Sequence, residues 1–334
     1  MKKIIDNWVH IPGIHCGSVA IRDVTAFYGF KLSEPMCFGI GGGLGFFYTL
    51  LEDMSPTRVI HLRGPGMEPN FFSLIGESID WRLEEDSFRA FELLKAFIDE
   101  DIPVLVQTDI YYLEYYNSST HFPGHVIPVW GYDDESDIVL VSDTGYDGLQ
   151  RVSYDNFRKA RSSKANPYPL FNNWFEVKLK SPISPLSEII PRALRKNAEF
   201  MIEGRESSRG ISSVNTIRLW ADELLDWGNV KDWRWIARFA YQVIAKRGTC
   251  GAGFRFMYRD FLLEAQEFIS SIRALGLPES MDRIGNEWGE IASLLKRISE
   301  GERVGDLFKV ASVKARHIAD LEEEFYIKVL KNIS

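Results

Sequence analysis

The sequence predicts an α+β protein, in which a mixed domain over residues 1–180 is followed by an all-helical domain over residues 186–334. Three observations predict this class. In the first half, short apolar runs typical of buried strands alternate with amphipathic helical stretches. Two prolines interrupt the chain at 181–185 and indicate a linker. Beyond this linker, apolar residues recur every three or four positions almost to the end.

The elements of the first half follow from local patterns. A helix after Cys16 has apolar residues around most of its circumference, and Gly29 suits its C-terminal end. Two apolar segments joined by the polar turn 133–137 predict a β-hairpin. The expected elements are a helix from Cys16 to residue 28, strand 59–62, helix 87–99, strand 103–108, hairpin strands 125–132 and 138–142, and a short strand 150–152.

The second half is expected to be helical throughout. Trp220, Leu224 and Trp227 are spaced as one helix face, and Tyr258 opens a second such series that ends at Phe268. Glycine, proline or polar residues separate the segments. The expected helices are 186–203, 214–227, 232–246, 254–275, 280–299 and 304–332.

Bulk composition excludes several classes of protein. The hydrophobic fraction of 45% is enough for packed cores, and the net charge of −8 argues against nucleic-acid binding. Three cysteines without close pairing indicate a reducing compartment rather than a disulfide framework. Residues 1–14 make a poor signal peptide, and the weakly polar stretch 37–51 is too short to span a bilayer. We therefore expect a soluble, cytoplasmic protein that does not enter membranes.

Three residues have the order and placement of a nucleophile, its base and an orienting acid. Cys16 begins a helix, where backbone N–H groups and the helix dipole favour a thiolate and can hold an oxyanion. His125 opens the first hairpin strand and Asp143 ends the second, so the hairpin brings them close together. Thiolate, imidazole and carboxylate are the groups that acyl transfer requires. Because lone cysteines are more often buried apolar residues, Cys37 and Cys250 are given that structural role.

Two motifs resemble known families. Residues 124–134 read Gly-His-Val-Ile-Pro-Val-Trp-Gly-Tyr-Asp-Asp, which resembles the histidine segment of C39-type papain-like peptidases. The combination of His-Cys-Gly at 15–17, Leu-Ser-Glu-Pro at 32–35 and the glycine-rich segment 38–46 resembles the butirosin biosynthesis protein H family. In that family a papain-like domain precedes a helical domain of uncharacterised type, which residues 248–262 also resemble.

This resemblance implies an acyltransferase that moves an acyl chain from an acyl-carrier-protein thioester to an amine of an aminoglycoside-like acceptor. It implies Cys16 as nucleophile, His125 as general base and Asp143 as the orienting acid. No tightly bound cofactor is expected; the phosphopantetheine of the carrier protein is the donor arm. The alternative on the same three residues is a C39-like peptidase or amidohydrolase, in which water resolves the acyl-enzyme. A third hypothesis is a fold that only binds; no oligomeric state is predicted.

One position departs from the papain-like pattern. Where C39 members have a glutamine as second oxyanion donor, six residues before the cysteine, this sequence has His10. An imidazole N–H can donate, so His10 and the Cys16 backbone N–H are the oxyanion candidates. The role can equally have passed to Asn7 or lapsed, and His10 can be a surface or packing residue.

Weaker signals concern the substrate. The glycines at 41–43 either pack closely or line an acyl or pantetheine channel. Arg255, at a helix start, could hold a phosphate, although an ordinary helix entry explains it as well. A tyrosine cluster at 111–116 walls the cleft or packs elsewhere. His121 and His125 have a zinc-like spacing, but Pro123 and Gly124 exclude a helix there, so no metal is predicted. The weak substrate-binding candidates are Gly41, Gly42, Gly43, Tyr112, Arg255 and Tyr258.

Overall fold

The computed structural model describes residues 1–51, 54–166, 168–180, 182–207, 210–301 and 305–333, and it confirms the α+β class. Within these residues no helix is both long and apolar enough to cross a membrane. The strands are β1 (Lys2–Ile4), β2 (Leu44–Leu50), β3 (Arg58–Arg63), β4 (Val104–Asp109), β5 (Pro123–Asp133), β6 (Ile138–Val141), β7 (Gln150–Ser153), β8 (Trp174–Glu176), β9 (Arg205–Ser207) and β10 (Gly210–Ser212). The α-helices are α1 (Cys16–Phe27), α2 (Glu34–Ile40), α3 (Met67–Leu74), α4 (Ser87–Asp99), α5 (Tyr154–Arg161), α6 (Leu186–Glu203), α7 (Val214–Glu223), α8 (Trp233–Ala245), α9 (Arg255–Ala265), α10 (Ser270–Ala274), α11 (Leu277–Glu300) and α12 (Gly305–Asn332).

The chain divides into two compact units. Unit 1 comprises Met1–Cys37 and Phe71–Ile183, and unit 2 comprises Phe38–Asn70 and Ser184–Ser334. One boundary falls within the predicted linker 181–185, whose first residue lies outside the described residues. The second segment of the chain, Phe38–Asn70, differs from the predicted division, which placed it in the first domain. It belongs to unit 2 because β2 pairs with β10 and packs against α6 and α7.

Unit 1 is built on an antiparallel sheet with the strand order β7-β6-β5-β4-β8, and β1 also pairs with β5. The predicted hairpin is confirmed, since Tyr132 pairs with Val139 and Asp133 pairs with Ile138 across β5 and β6. Side chains on both faces of β5 are buried, and α1 packs against it. A strand buried on both faces explains why its sequence is a continuous apolar run rather than an alternating one.

Unit 2 is mostly helical rather than all-helical as predicted, because it also contains an antiparallel sheet with the strand order β3-β2-β10-β9, and its helices have altered bounds. The expected helix 254–275 is divided into α9 and α10. At the break, the backbone N–H groups of Glu267 and Phe268 bond to carbonyls three rather than four residues back, which is the tighter 3₁₀ pattern that often ends a helix. Phe268, expected on the buried face, is 48% exposed. The helix expected over 214–227 ends at Glu223, and Trp227 begins a short 3₁₀ helix. Residue 304, where the last helix was expected to begin, lies outside the described residues.

The core of unit 2 holds a fully buried ion pair between Arg255 of α9 and Glu322 of α12. The guanidinium donates to both carboxylate oxygens, at 2.9 Å from Nε and 3.1 Å from Nη2, and to the Gly253 carbonyl at 2.7 Å. The indole N–H of Trp288 donates to the same carboxylate at 2.7 Å. Glu322 is the first of three consecutive glutamates, a pattern typical of a solvated helix face, but α12 turns its side chain inward onto Arg255.

Glu322→Gln should lower the free energy of unfolding by about 3–5 kcal/mol, because it leaves the Arg255 charge buried without its counter-charge. Glu323→Gln is the matched control on the next residue, since Glu323 pairs with Arg218 at the surface and should contribute only about 0–1 kcal/mol. Urea denaturation of both variants and the parent measures the difference. Equal effects of the two substitutions would contradict the importance of the buried pair.

Candidate active site

Cys16 is the first residue of α1, and the loop before it is held by several hydrogen bonds. His15 is the N-cap, and its Nδ1 accepts the backbone N–H of Ser18 at 3.2 Å. The carboxylate of Glu34 accepts the backbone N–H of Ile14 at 3.1 Å, that of His15 at 2.7 Å and the Ser18 hydroxyl at 3.1 Å. The thiol therefore starts a well-anchored helix, at the end where the helix dipole favours an anion.

His125 and Asp143 meet at one end of the β5–β6 hairpin, as predicted. Nε2 of His125 lies 2.8 and 2.9 Å from the two carboxylate oxygens of Asp143. His125 pairs with Thr108 of β4, whose hydroxyl donates to the His125 carbonyl at 3.0 Å, and Asp143 directly follows Ser142 at the end of β6. The side chains of His125 and Asp143 are 6% and 0% exposed. The two groups thus form a hydrogen-bonded pair away from water.

The thiol of Cys16 engages the same imidazole. Burial by itself would lower the pKa of His125, but the charges of Asp143 and Cys16 and hydrogen bonds to both raise it to about 10. Because Nε2 faces Asp143, we assign the bond with the thiol to Nδ1. Burial would raise the pKa of Asp143, but the charge of His125 and hydrogen bonds from His125, Tyr115 and Thr144 hold it below its usual range. The arrangement places the His125 imidazole, whose pKa is raised, between the Cys16 sulfur and the Asp143 carboxylate.

Two members of the tyrosine cluster contact this pair. The hydroxyl of Tyr115 donates to Oδ2 of Asp143 at 2.6 Å. The hydroxyl of Tyr116 lies 3.4 Å from Oδ1, and its ring meets the His125 ring edge-on, with 5.4 Å between centroids. The sequence indicates the tyrosine cluster at 111–116, but it does not single out Tyr115 and Tyr116 as neighbours of the His125–Asp143 pair. No local signal distinguishes them, because both lie in a 3₁₀ segment, Glu114–Tyr116, without apolar periodicity.

Of the alternatives for His10, the structure supports a packing residue rather than an oxyanion donor, because both of its ring nitrogens are engaged. Nδ1 lies 2.6 Å from Asp23, and Nε2 donates to the Tyr146 carbonyl at 2.8 Å. Burial lowers the pKa of His10, but the hydrogen bond and charge of Asp23 outweigh it and the net shift is upward. Asp23 also accepts the Ser142 hydroxyl at 3.0 Å. His10 therefore ties α1 to the segment after β6, and the backbone N–H of Cys16 remains the predicted oxyanion donor.

Two of the weak substrate candidates are also wrong. Arg255 is fully buried and its guanidinium is occupied by Glu322 and the Gly253 carbonyl, so it cannot hold a phosphate. Tyr258 is 1% exposed and packs between Phe261 and Phe325, with centroid distances of 5.2 and 6.4 Å. Both side chains lie on the buried face of α9, and their spacing in the sequence fits such a face. Their chemical groups alone suggested ligand binding, which the burial of this face contradicts.

The glycine segment serves two purposes. Gly43 packs against Phe38, because a Cβ there would lie 2.4 Å from that ring. Gly41 and Gly42 line a cavity of about 130 Å³ in unit 2, together with Lys196 of α6. Substrate binding by Gly41 and Gly42 stays a prediction, as does that by Tyr112, whose ring packs on those of Tyr111 and His121. Within the described residues, no group of three or more His, Cys, Asp or Glu side chains is arranged to hold a metal ion.

The His125 imidazole should titrate with a midpoint of about 10 in histidine NMR spectra, well above its ordinary 6.5, with the signal assigned by its loss in His125→Gln. Cys16→Ala should lower this midpoint, because it removes the thiolate charge and hydrogen bond. By linkage, the stabilisation from His125 protonation is complete below pH 6.5 and is lost as the pH rises through about 10. A parent midpoint near 6.5 would contradict the ion pair.

Comparison with protein families agrees with the motifs. The family model described as Butirosin biosynthesis protein H, N-terminal, matches residues 15–144, which include Cys16, His125 and Asp143. The model described as Domain of unknown function (DUF4872) matches residues 155–329, more than half of the chain. A comparison with curated proteins gives no match. The predicted family is confirmed: this chain belongs to the butirosin biosynthesis protein H-like family, with the DUF4872 domain as its second part.

Proposed function

We propose that the protein is a biosynthetic acyltransferase in which Cys16 carries the acyl group. The donor is the thioester on the phosphopantetheine arm of an acyl carrier protein, and the acceptor is an amine of a small molecule such as an aminoglycoside. The observation that carries the proposal is the buried contact of His125 with both Asp143 and Cys16. The family's name refers to butirosin biosynthesis, which favours transfer in a biosynthetic pathway over the breakdown of proteins.

The proposed reaction starts from an imidazolium–thiolate pair of His125 and Cys16. The Cys16 thiolate attacks the thioester carbonyl, and the carbonyl oxygen takes the negative charge beside the backbone N–H at the start of α1. The carbon–sulfur bond of the donor then breaks, and the departing thiolate takes the proton of His125. The acceptor amine attacks the acyl-Cys16 thioester and gives a proton to His125. Expulsion of the Cys16 thiolate forms the amide and restores the starting pair.

The nucleophile is tested by intact-protein mass spectrometry after incubation with an acyl-carrier-protein thioester. The wild-type protein should gain one acyl mass, and Cys16→Ala should gain none. Cys37→Ala and Cys250→Ala are the matched controls, because they remove the other two cysteines and should acylate like the wild type. An adduct that persists in Cys16→Ala, or no adduct on the wild type, would contradict the proposed function.

The second half-reaction separates transfer from hydrolysis. Addition of aminoglycosides or simple primary amines to the isolated acyl-enzyme should accelerate loss of the adduct in proportion to amine concentration, and the acyl amide should appear. Decay at a rate independent of amine, with release of the free acid, would instead support the peptidase or amidohydrolase alternative on the same residues.

A further inference from the structure

The Tyr115 hydroxyl makes a short hydrogen bond to Asp143, and Tyr115 has no role in the steps of the proposed reaction. The hydroxyl donates at 2.6 Å to Oδ2, one of the two oxygens that Nε2 of His125 also approaches. Oδ1 accepts the Thr144 hydroxyl at 3.0 Å. A carboxylate bonded at both oxygens cannot rotate about its Cβ–Cγ bond without breaking one of these contacts.

Tyr115 is itself held in place from several directions. Its ring contacts those of Tyr116 and Tyr146 at centroid distances of 5.2 and 5.0 Å, and the Tyr146 hydroxyl donates to the Tyr115 carbonyl at 3.3 Å. The neighbouring Glu114 carboxylate accepts the Ser153 backbone N–H at 3.1 Å. The rings of Tyr115, Tyr116 and Tyr146 pack on one another and lie against the His125–Asp143 pair.

The start of this loop is fixed as well. Asp109, which is fully buried, accepts the backbone N–H groups of Tyr111 at 3.2 Å and Phe122 at 2.9 Å. It also accepts the Ser163 hydroxyl at 2.7 Å, and Nδ1 of His121 lies 2.7 Å from it. The loop that carries Tyr115 is therefore anchored at Tyr111 and Phe122 to Asp109 of β4, and through Asp109 to the segment after α5. Such anchoring is what a group needs in order to hold another group still.

We propose that Tyr115 is a positioning residue, which fixes the Asp143 carboxylate against His125 and so keeps the imidazole directed at Cys16. The proposal rests on the proposed function, because it assumes that these three residues act together. Tyr115 makes no contact with the reacting atoms in this scheme. Its effect passes through Asp143 alone, and that dependence can be measured.

The test follows alkylation of Cys16 by iodoacetamide across pH 5–9, resolved by mass spectrometry, which needs no substrate. Tyr115→Phe should slow alkylation near pH 6 by about tenfold, the effect of one pKa unit, and shift the acid limb of the profile upward. Tyr132→Phe is the matched control, because it removes an equally short tyrosine–aspartate bond, 2.6 Å to Asp99, elsewhere in unit 1. It should leave the profile unchanged.

A double-mutant cycle separates positioning from a general structural role. Tyr115→Phe should add no further slowing in an Asp143→Ala background, because the two residues act through one contact. Full additivity, or a Tyr115→Phe profile that coincides with that of Tyr132→Phe, would overturn the positioning role. If Asp143→Ala itself leaves Cys16 reactivity unchanged, Asp143 does not orient His125 and the positioning role of Tyr115 is overturned, whereas the proposed function depends on acylation of Cys16 and is tested separately. Thr144→Val removes another donor to the same carboxylate and should slow alkylation less; it serves as a second probe should Tyr115→Phe fail to fold.

Discussion

The hydrogen-bonded charge pair of His125 and Asp143 is the constraint on which unit 1 depends. Both side chains are almost fully buried, and removing two charges from water costs several kcal/mol for each ion. Such a pair persists only when its geometry is good and its remaining hydrogen-bonding capacity is used. Tyr115 and Thr144 satisfy the carboxylate, and Cys16 engages the imidazole. The register of the β5–β6 hairpin and the position of α1 are therefore tied to the chemistry of this one cluster.

The position of α1 is set by a second buried network. Asp23, in the middle of that helix, joins the His10 ring and the Ser142 hydroxyl, and Ser142 in turn accepts the indole N–H of Trp130 at 2.9 Å. Ser142 immediately precedes Asp143. The nucleophile and the acid are thus linked by two routes, one through the imidazole of His125 and one through Asp23. A residue that resembled an oxyanion donor in sequence acts instead as a tie between the two halves of the site.

The parts of the molecule that could be predicted are those with local signatures. A helix that begins at Cys16 and a hairpin that joins His125 to Asp143 follow from periodicity and from a polar turn. Tyr115 and His10 acquire their roles from partners 28 and 13 residues away in sequence, and such contacts leave no pattern in the chain. Arg255 shows the same limit, because its partner Glu322 is 67 residues distant. The short helices α2, α3 and α5 were missed since few turns give little periodicity.

The charges around His125 also suit the two halves of the proposed reaction. The charge of Cys16 helps to raise the imidazole pKa to about 10, which in the proposed reaction favours a protonated ring that can give a proton to the departing thiolate. Acylation turns the Cys16 sulfur into a neutral thioester, which removes both its charge and its hydrogen bond to the ring. Burial of the ring lowers the pKa of His125, and fewer charges and hydrogen bonds then counteract it. In the proposed reaction the imidazole can therefore act as a base for the incoming amine. In the proposed reaction Asp143 orients the ring in both halves, because its contacts with Tyr115 and Thr144 do not involve the sulfur.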